Sequence, residues 1–305
     1  MADTNAMRTA DATRGFQKIA VVGAGQMGSG IAQVAAQSGL NVVLIDVDAR
    51  SLERARTTIE SSLDRMVEKG RIQRDDKDKC LARIARSSDL SLAGDVELVV
   101  EAVPENEELK RQVFSQLDLI CPEGTILASN TSSIPITKLA GATRRPDRVV
   151  GIHFTNPVPV MRLVEIVSGY LTSDETTRAA EEFARKLGKE TIRARDYPGF
   201  TATRLGIVLW NEAAWMLYEG QATREDIDKA AKLGLNLPMG VLELADFVGL
   251  DSILSILREC YETFGSQRYF PCPLLTQMVQ AGQLGRKSGR GFYVYDQPGG
   301  ASPSC

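Results

Sequence analysis

His153 is the only histidine in 305 residues, within Gly151-Ile-His-Phe-Thr-Asn-Pro-Val-Pro-Val-Met-Arg-Leu-Val-Glu165. An imidazole titrates near neutral pH, so it can take a proton from a reacting group and later return it. A histidine with that task needs a carboxylate to orient the ring and a cofactor or nucleophile to act with. Glu165, twelve residues on, falls on the adjacent strand and can point back to the ring. Asn156 follows His153 by three positions. Ser132, in Ala128-Ser-Asn-Thr-Ser132-Ser133, sits just past the end of a strand, where open α/β sheets place their ligands. A lone histidine between apolar residues can also be a core residue with satisfied nitrogens. The company of Glu165, Asn156 and Ser132 favours proton transfer.

A second constellation supplies the partner. Gly23-Ala-Gly25-Gln26-Met27-Gly28 follows one strand and opens a helix. Gly23 permits the tight turn, Gly25 lets backbone approach a pyrophosphate, and Gly28 lets helix and strand pack closely. Gln26 and Met27 begin the helix, whose N-terminus offers N–H groups and a positive dipole to phosphates. Asp46 ends the second strand at the spacing of a ribose-binding acid. Val47 follows it instead of an arginine, so a 2′-phosphate would meet a carboxylate, which favours NAD over NADP. The same turn without a ligand is an ordinary αβ packing device, and a flavin enzyme would usually bring an additional domain. With a nicotinamide cofactor at hand, the chemistry available to His153 is removal of a hydroxyl proton during oxidation.

The elements that must hold these residues are legible as periodicity. Lys18–Gly23 and Asn41–Asp46 are continuous apolar runs flanking a helix at 26–38, the mark of a parallel sheet buried on both faces. Helical spacing over 49–69, then a charged stretch and a second helical piece, predicts a projecting helical hairpin. Further strands are expected at 96–103, 125–130, 148–154, 163–169 and 190–196, with helices near 106–119 and from a Thr172/Glu175 capping box to Leu187. Beyond Pro198 only helical spacing remains, at 199–218, 224–234, 239–264 and 273–281. The fold class is α/β: a Rossmann-type doubly wound sheet with a helical hairpin insertion, followed by an all-α C-terminal domain. The boundaries expected are a loose tail over 1–15, an NAD-binding domain over 16–197, and a helical substrate and dimerisation domain over 198–305.

Composition excludes several classes. A net charge of −3 and 25% charged residues give no basic face for nucleic acid or an anionic membrane. No apolar run approaches the roughly 18 residues of a membrane-spanning helix. Cys80, Cys121, Cys260, Cys272 and Cys305 are scattered, with no Cys-x-x-Cys pair. They read as reduced thiols in a cytoplasm-like compartment, and one histidine cannot build a His-rich metal site. The N-terminus lacks the apolar segment of a secretory signal, and Asp3 and Asp11 argue against an organellar transit peptide.

Ser129-Asn-Thr-Ser-Ser133, His153-to-Glu165, Asp196-Tyr-Pro-Gly-Phe200, the 233–251 run LGLNLPMGVLELADFVGLD and the terminal GRKSGRGFYVYD (285–296) together resemble the short, monofunctional L-3-hydroxyacyl-CoA dehydrogenases, in particular the 3-hydroxybutyryl-CoA type. The resemblance runs from about 17 to 296. It implies that His153 takes the proton of the C3 hydroxyl and that Glu165 pairs with it. Ser132 and Asn156 would bond substrate oxygens or the nicotinamide carboxamide. Glu105, Lys110 and Lys287 would contact the cofactor, and Ser62 and Lys69 the coenzyme A moiety of an acyl-CoA substrate. It also implies a homodimer through the helical domain. One departure stands out: where the family usually carries Asn after Gly-Phe-x-x, this chain has Thr203, a shorter and stiffer donor. Asn211, two helical turns on, is too distant to replace it. Alternatives from the same residues are a sister dehydrogenase acting on a free hydroxy acid, of sugar-acid or carnitine type, and a cofactor-binding homologue with impaired catalysis.

Overall fold

Continuous burial of Ile19–Val22, Val42–Ile45 and Leu98–Glu101 is what places these segments in the middle of a sheet covered on both faces. The computed structural model describes residues 15–295; the tail expected over 1–15 lies outside them, Gly15 excepted. The chain divides into two compact units between Tyr197 and Pro198.

In the first unit, β1 (Lys18–Val22), α1 (Gln26–Gln37), β2 (Asn41–Ile45), α2 (Ala49–Glu68), α3 (Arg74–Ala82), β3 (Ile84–Ser87), β4 (Leu98–Glu101), α4 (Glu107–Ile120), β5 (Ile126–Ser129), α5 (Ile136–Ala140), β6 (Val149–Phe154), β7 (Leu163–Ser168), α6 (Asp174–Lys186) and β8 (Glu190–Arg195) follow in order. The strands form one eight-stranded sheet ordered β3-β2-β1-β4-β5-β6-β7-β8. Strands β1 to β6 pair in parallel, β7 runs antiparallel to β6, and β8 pairs in parallel with β7. The order reverses between β1 and β4, so a crevice opens beyond their carboxyl ends at Val22 and Glu101.

Small residues let α1 lie close to the sheet and its flanking loop: a Cβ on Gly30 would sit 2.9 Å from Val158. Gly70, at φ 65°, follows α2 and lets the chain turn towards α3. This pair is the expected hairpin; Leu52, Ala55, Ile59, Leu63 and Cys80 anchor it in the core. Two short elements escape the periodicity argument. β3 has only four residues and none is fully buried, and the five-residue α5 is too short to show a helical repeat. The helix starting near 172 is capped by Ser173, which accepts from Thr176 N, so the Thr172/Glu175 box is displaced by one residue. Ser and Thr are both good N-caps, and spacing alone does not choose between neighbours.

The second unit contains α7 (Ala202–Tyr218), α8 (Arg224–Gly234), α9 (Val241–Val248), α10 (Leu250–Phe264) and α11 (Pro273–Gln280). Its core gathers Ile207, Leu242, Leu250, Leu257 and Tyr269. The 239–264 run is two helices, broken at Gly249, whose φ of 104° favours glycine. Asp228 caps α9 by accepting from Leu242 N and Glu243 N, while Asp246 accepts from Phe292 N and Tyr293 N and holds the last segment.

Candidate active site

Antiparallel pairing of β6 with β7 puts His153 directly opposite Glu165. Their side chains meet at 2.8 Å, Nδ1 to Oε2. Glu165 is fully buried and the ring is 13% exposed, so the carboxylate is shielded while the imidazole edge is reachable. A carboxylate at Nδ1 holds a proton on that nitrogen and leaves the lone pair on Nε2. One residue on, Asn130 Oδ1 accepts from Phe154 N at 2.9 Å and ties the end of β5 to the end of β6. Thr155 Oγ1 donates to Leu163 O, and Gln26 Nε2 donates to Asn156 Oδ1 at 3.2 Å. The first helical residue of the glycine turn thus touches the segment that follows His153.

The glycine turn itself fits a dinucleotide. Gly23 has φ 105°, and a Cβ there would lie 2.5 Å from Ala102 O; one on Gly28 would overlap Gly23 O. Gly25 is different. It is the N-cap of α1, has open space around the position of a Cβ, and caps the helix with no side chain. Backbone N–H groups at this helix start are thus suited to a diphosphate. Met27 is half-buried against the core. Asp46 accepts from Ala24 N at 2.7 Å and from Asp48 N at 2.9 Å, so its carboxylate closes the turn from the end of β2. Val47 beside it is 94% exposed and carries no charge.

Between these two groups lies an ionic cluster, buried at Glu101 and Lys110 and open to solvent at Glu105. Lys110, 1% exposed, donates to Glu101 Oε1 at 2.7 Å and Val103 O at 3.1 Å, and lies 3.3 Å from Glu105 Oε2. Glu105 Oε1 accepts from Thr131 Oγ1, Ser132 N, Ser133 N and Ser133 Oγ at 2.5–3.2 Å. Burial opposes ionisation of Glu105, but the Lys110 charge and these hydrogen bonds outweigh it and hold its carboxyl below the usual range. Burial pushes the Glu101 carboxyl up, against the pull of Lys110. Lys110, as placed, spends its donors inside the protein.

Four expected residues belong to other elements. Ser62 and Lys69 are two turns apart on one face of α2, Ser62 half-buried and Lys69 exposed as the C-cap. Thr203, half-buried in the first turn of α7, and Lys287, bonded to Asp251 at 2.7 Å, belong to the second unit. Asn211 is held in that unit's core, donating to Phe270 O and accepting from Cys272 N. Sequence reasoning missed Glu101, Ser129 and Asn130. Glu101 had a signal: it is a carboxylate ending a run that is otherwise wholly apolar and buried. Among the described residues no group of His, Cys, Asp or Glu is arranged for a metal ion, and the four described cysteines are free and buried. Among them, too, no helix is long and apolar enough to cross a membrane.

Residues 18–197 match the model of the 3-hydroxyacyl-CoA dehydrogenase NAD-binding domain, and residues 199–295 that of the 3-hydroxyacyl-CoA dehydrogenase C-terminal domain. The chain is 52% identical to the probable 3-hydroxybutyryl-CoA dehydrogenase of Deinococcus radiodurans over 91% of its own length and 100% of that protein's. It is 49% identical to the 3-hydroxybutyryl-CoA dehydrogenase of Bradyrhizobium diazoefficiens, covering 92% and 96% of the two chains. The solved structure of (S)-3-hydroxybutyryl-CoA dehydrogenase from Ralstonia eutropha superposes with a TM-score of 0.90 at 46% identity, covering 92% of this chain and 100% of that one. Sheet order, glycine turn, His–Glu pair and these likenesses lead to one conclusion: the chain belongs to the 3-hydroxyacyl-CoA dehydrogenase family.

Proposed function

We propose that this protein interconverts (S)-3-hydroxyacyl-CoA and 3-ketoacyl-CoA with NAD, reversibly and on short chains of the 3-hydroxybutyryl type. The observation that carries the proposal is the buried Glu165 bonded to His153 Nδ1 on paired strands, beside an uncapped glycine-turn helix. In oxidation, His153 Nε2 takes the proton of the C3 hydroxyl. A bound nicotinamide would supply the hydride acceptor for C3. Glu165 keeps the ring in one orientation and stabilises the imidazolium that forms. Ser132 and Asn156 hold the substrate oxygen and the carboxamide near it, with Thr203 as a further donor. The glycine turn Gly23–Gly28 and Asp46 hold the diphosphate and ribose; Glu105, Lys110 and Lys287 support cofactor binding, and Ser62 and Lys69 bind coenzyme A.

The same reading includes a homodimer formed through α7, a cytoplasmic location, and neither nucleic acid nor membrane as partner. Leu205, Val208 and Leu209 support the dimer, since they expose an apolar stripe at helical spacing. The deciding assay measures NADH oxidation with acetoacetyl-CoA against free 3-keto acids, and NAD reduction with free 3-hydroxy acids. Turnover confined to the thioester is expected. Faster turnover of a free acid would replace this reading with the sister activity, and none with either would point to a cofactor-binding homologue.

A further inference from the structure

Both oxygens of Glu101 lead to the same short segment by different routes. Oε1 accepts from Lys110 Nζ at 2.7 Å; Lys110 reaches Glu105, and Glu105 Oε1 gathers Thr131 Oγ1 and the N–H groups of Ser132 and Ser133. Oε2 accepts from Ser129 Oγ at 2.7 Å, and Ser129 Oγ in turn accepts from Thr131 N at 3.1 Å. The contacts close into a ring, Glu101–Lys110–Glu105–Thr131–Ser129–Glu101. A further bond from Val103 N to Glu101 Oε1 at 2.7 Å fixes the loop between Glu101 and Glu105. Glu101 and Lys110 are essentially without solvent, so their two charges cannot relax into water, while Glu105 is 39% exposed at the outer edge of the ring. A ring in which each member's bond supports the next restrains the segment it holds, and it sits where the sheet order reverses.

We infer that Glu101 is a positioning residue for Ser132, acting through Lys110 and Glu105 on one side and through Ser129 on the other. The ring holds the Ser132 backbone and leaves its hydroxyl to meet substrate. Lys110, which the ring encloses, then serves the cofactor side of the site only through Glu105. The inference rests on the role proposed above for Ser132. It differs from a general stabilising role because its effect must pass through one residue and one loop.

The test is a double-mutant cycle in the full-length protein, with acetoacetyl-CoA and NADH. Glu101→Gln should lower kcat about tenfold, in keeping with a sub-ångström misplacement, with KM for NADH changed less than about threefold. In the Ser132→Ala background the same change should cost less than about twofold. Ser129→Ala, which removes one link and no charge, should show a smaller loss with the same dependence on Ser132; it serves if Glu101→Gln does not fold. Equal losses in both backgrounds, or no loss in the parent, overturn the inference. Hydrogen exchange separates this from the reading of Ser132 itself. Amides over residues 129–134, together with the Val103 amide that Glu101 also holds, should exchange faster in Glu101→Gln while the rest of the unit is unchanged. Unaltered exchange there overturns the ring. Should Ser132→Ala leave kcat intact, the role of Ser132 falls, and the exchange result by itself upholds or overturns the ring.

Discussion

At the scale of single residues, the proton transfer proposed for the His153–Glu165 pair predicts the size of its loss. His153→Gln should lower kcat by about 10²–10⁴, the usual worth of general acid–base catalysis, with NADH affinity nearly unchanged. Stopped-flow binding and steady-state turnover measure the two separately; a variant within threefold of wild type would assign the base elsewhere. Asp46 makes a second claim. Its carboxylate ends β2, and the next residue, Val47, is exposed and uncharged, so a 2′-phosphate meets repulsion from Asp46 and no attraction from its neighbour. Preference for NAD over NADP by at least about tenfold is expected, which requires only ~1.4 kcal/mol. Equal kcat/KM for the two cofactors would remove the argument. Thr203→Asn is the third. If Thr203 already donates to the reacting oxygen, exchanging one neutral donor for another changes little, about 0.5–1.5 kcal/mol, and kcat should move less than about tenfold. A gain above roughly a hundredfold would mean that the natural site lacks a donor worth ~2.7–4 kcal/mol.

At the scale of elements, the long pieces were readable and the short ones were not, for physical reasons. β1, β2 and β4 are apolar because both faces are covered, and α2 repeats Leu52, Ala55, Ile59 and Leu63 because one face is. β3 packs too little to be apolar, and the 239–264 helix breaks at a single glycine whose left-handed φ no periodicity reports. His153 and Glu165 were legible because an antiparallel return places residues twelve apart side by side. Glu101 was not, since its partners come from a helix and a different strand. The carboxyl end of α4 shows the same limit. Arg145 donates to Asp118 O, Cys121 O and Pro122 O and pairs with the Asp118 carboxylate at 2.8 Å, while Arg144 holds its other oxygen. Burial raises the Asp118 carboxyl, but the hydrogen bonds from Arg144 and Arg145 prevail and hold it below the usual range. A folded-state value below the unfolded one of about 3.9 stabilises above that pH, and the contribution fades as pH falls through the folded value. Asp118→Asn should therefore cost about 3 kcal/mol at pH 7, as one partner of a buried pair is lost. The gap should narrow below about pH 4. Both tryptophans, Trp210 and Trp215, lie in the second unit, so circular dichroism during urea unfolding is the measurement.

At the scale of the whole molecule, the open question is what covers the helical unit. Its core is complete without α7's outward stripe, since Ile207, Ala213 and Ala214 face inward while Leu205 stays 71% exposed. Val208 and Leu209 lie one turn on, and Tyr218 is exposed at the far end of the same helix. Leu205 is largely in water and Val208 and Leu209 are about a third exposed, so a matching face would recover most of the ~1.5–3 kcal/mol of full burial for Leu205 and part of it for the other two. A two-fold interface would use the same stripe from both copies, so each substitution counts twice. Leu205→Glu should then lose at least ~3 kcal/mol of association, a dissociation constant raised more than about a hundredfold. Leu205 is exposed in the single chain, so the folded unit itself should keep its circular dichroism and melting behaviour. Sedimentation velocity across about 0.1–50 µM, a range that spans the micromolar constants of weak dimers, reads the outcome. Wild type should run as a dimer throughout and the variant should dissociate within the range. A variant that stays dimeric would move the interface off α7, and a monomeric wild type would leave that stripe without a second copy to cover it.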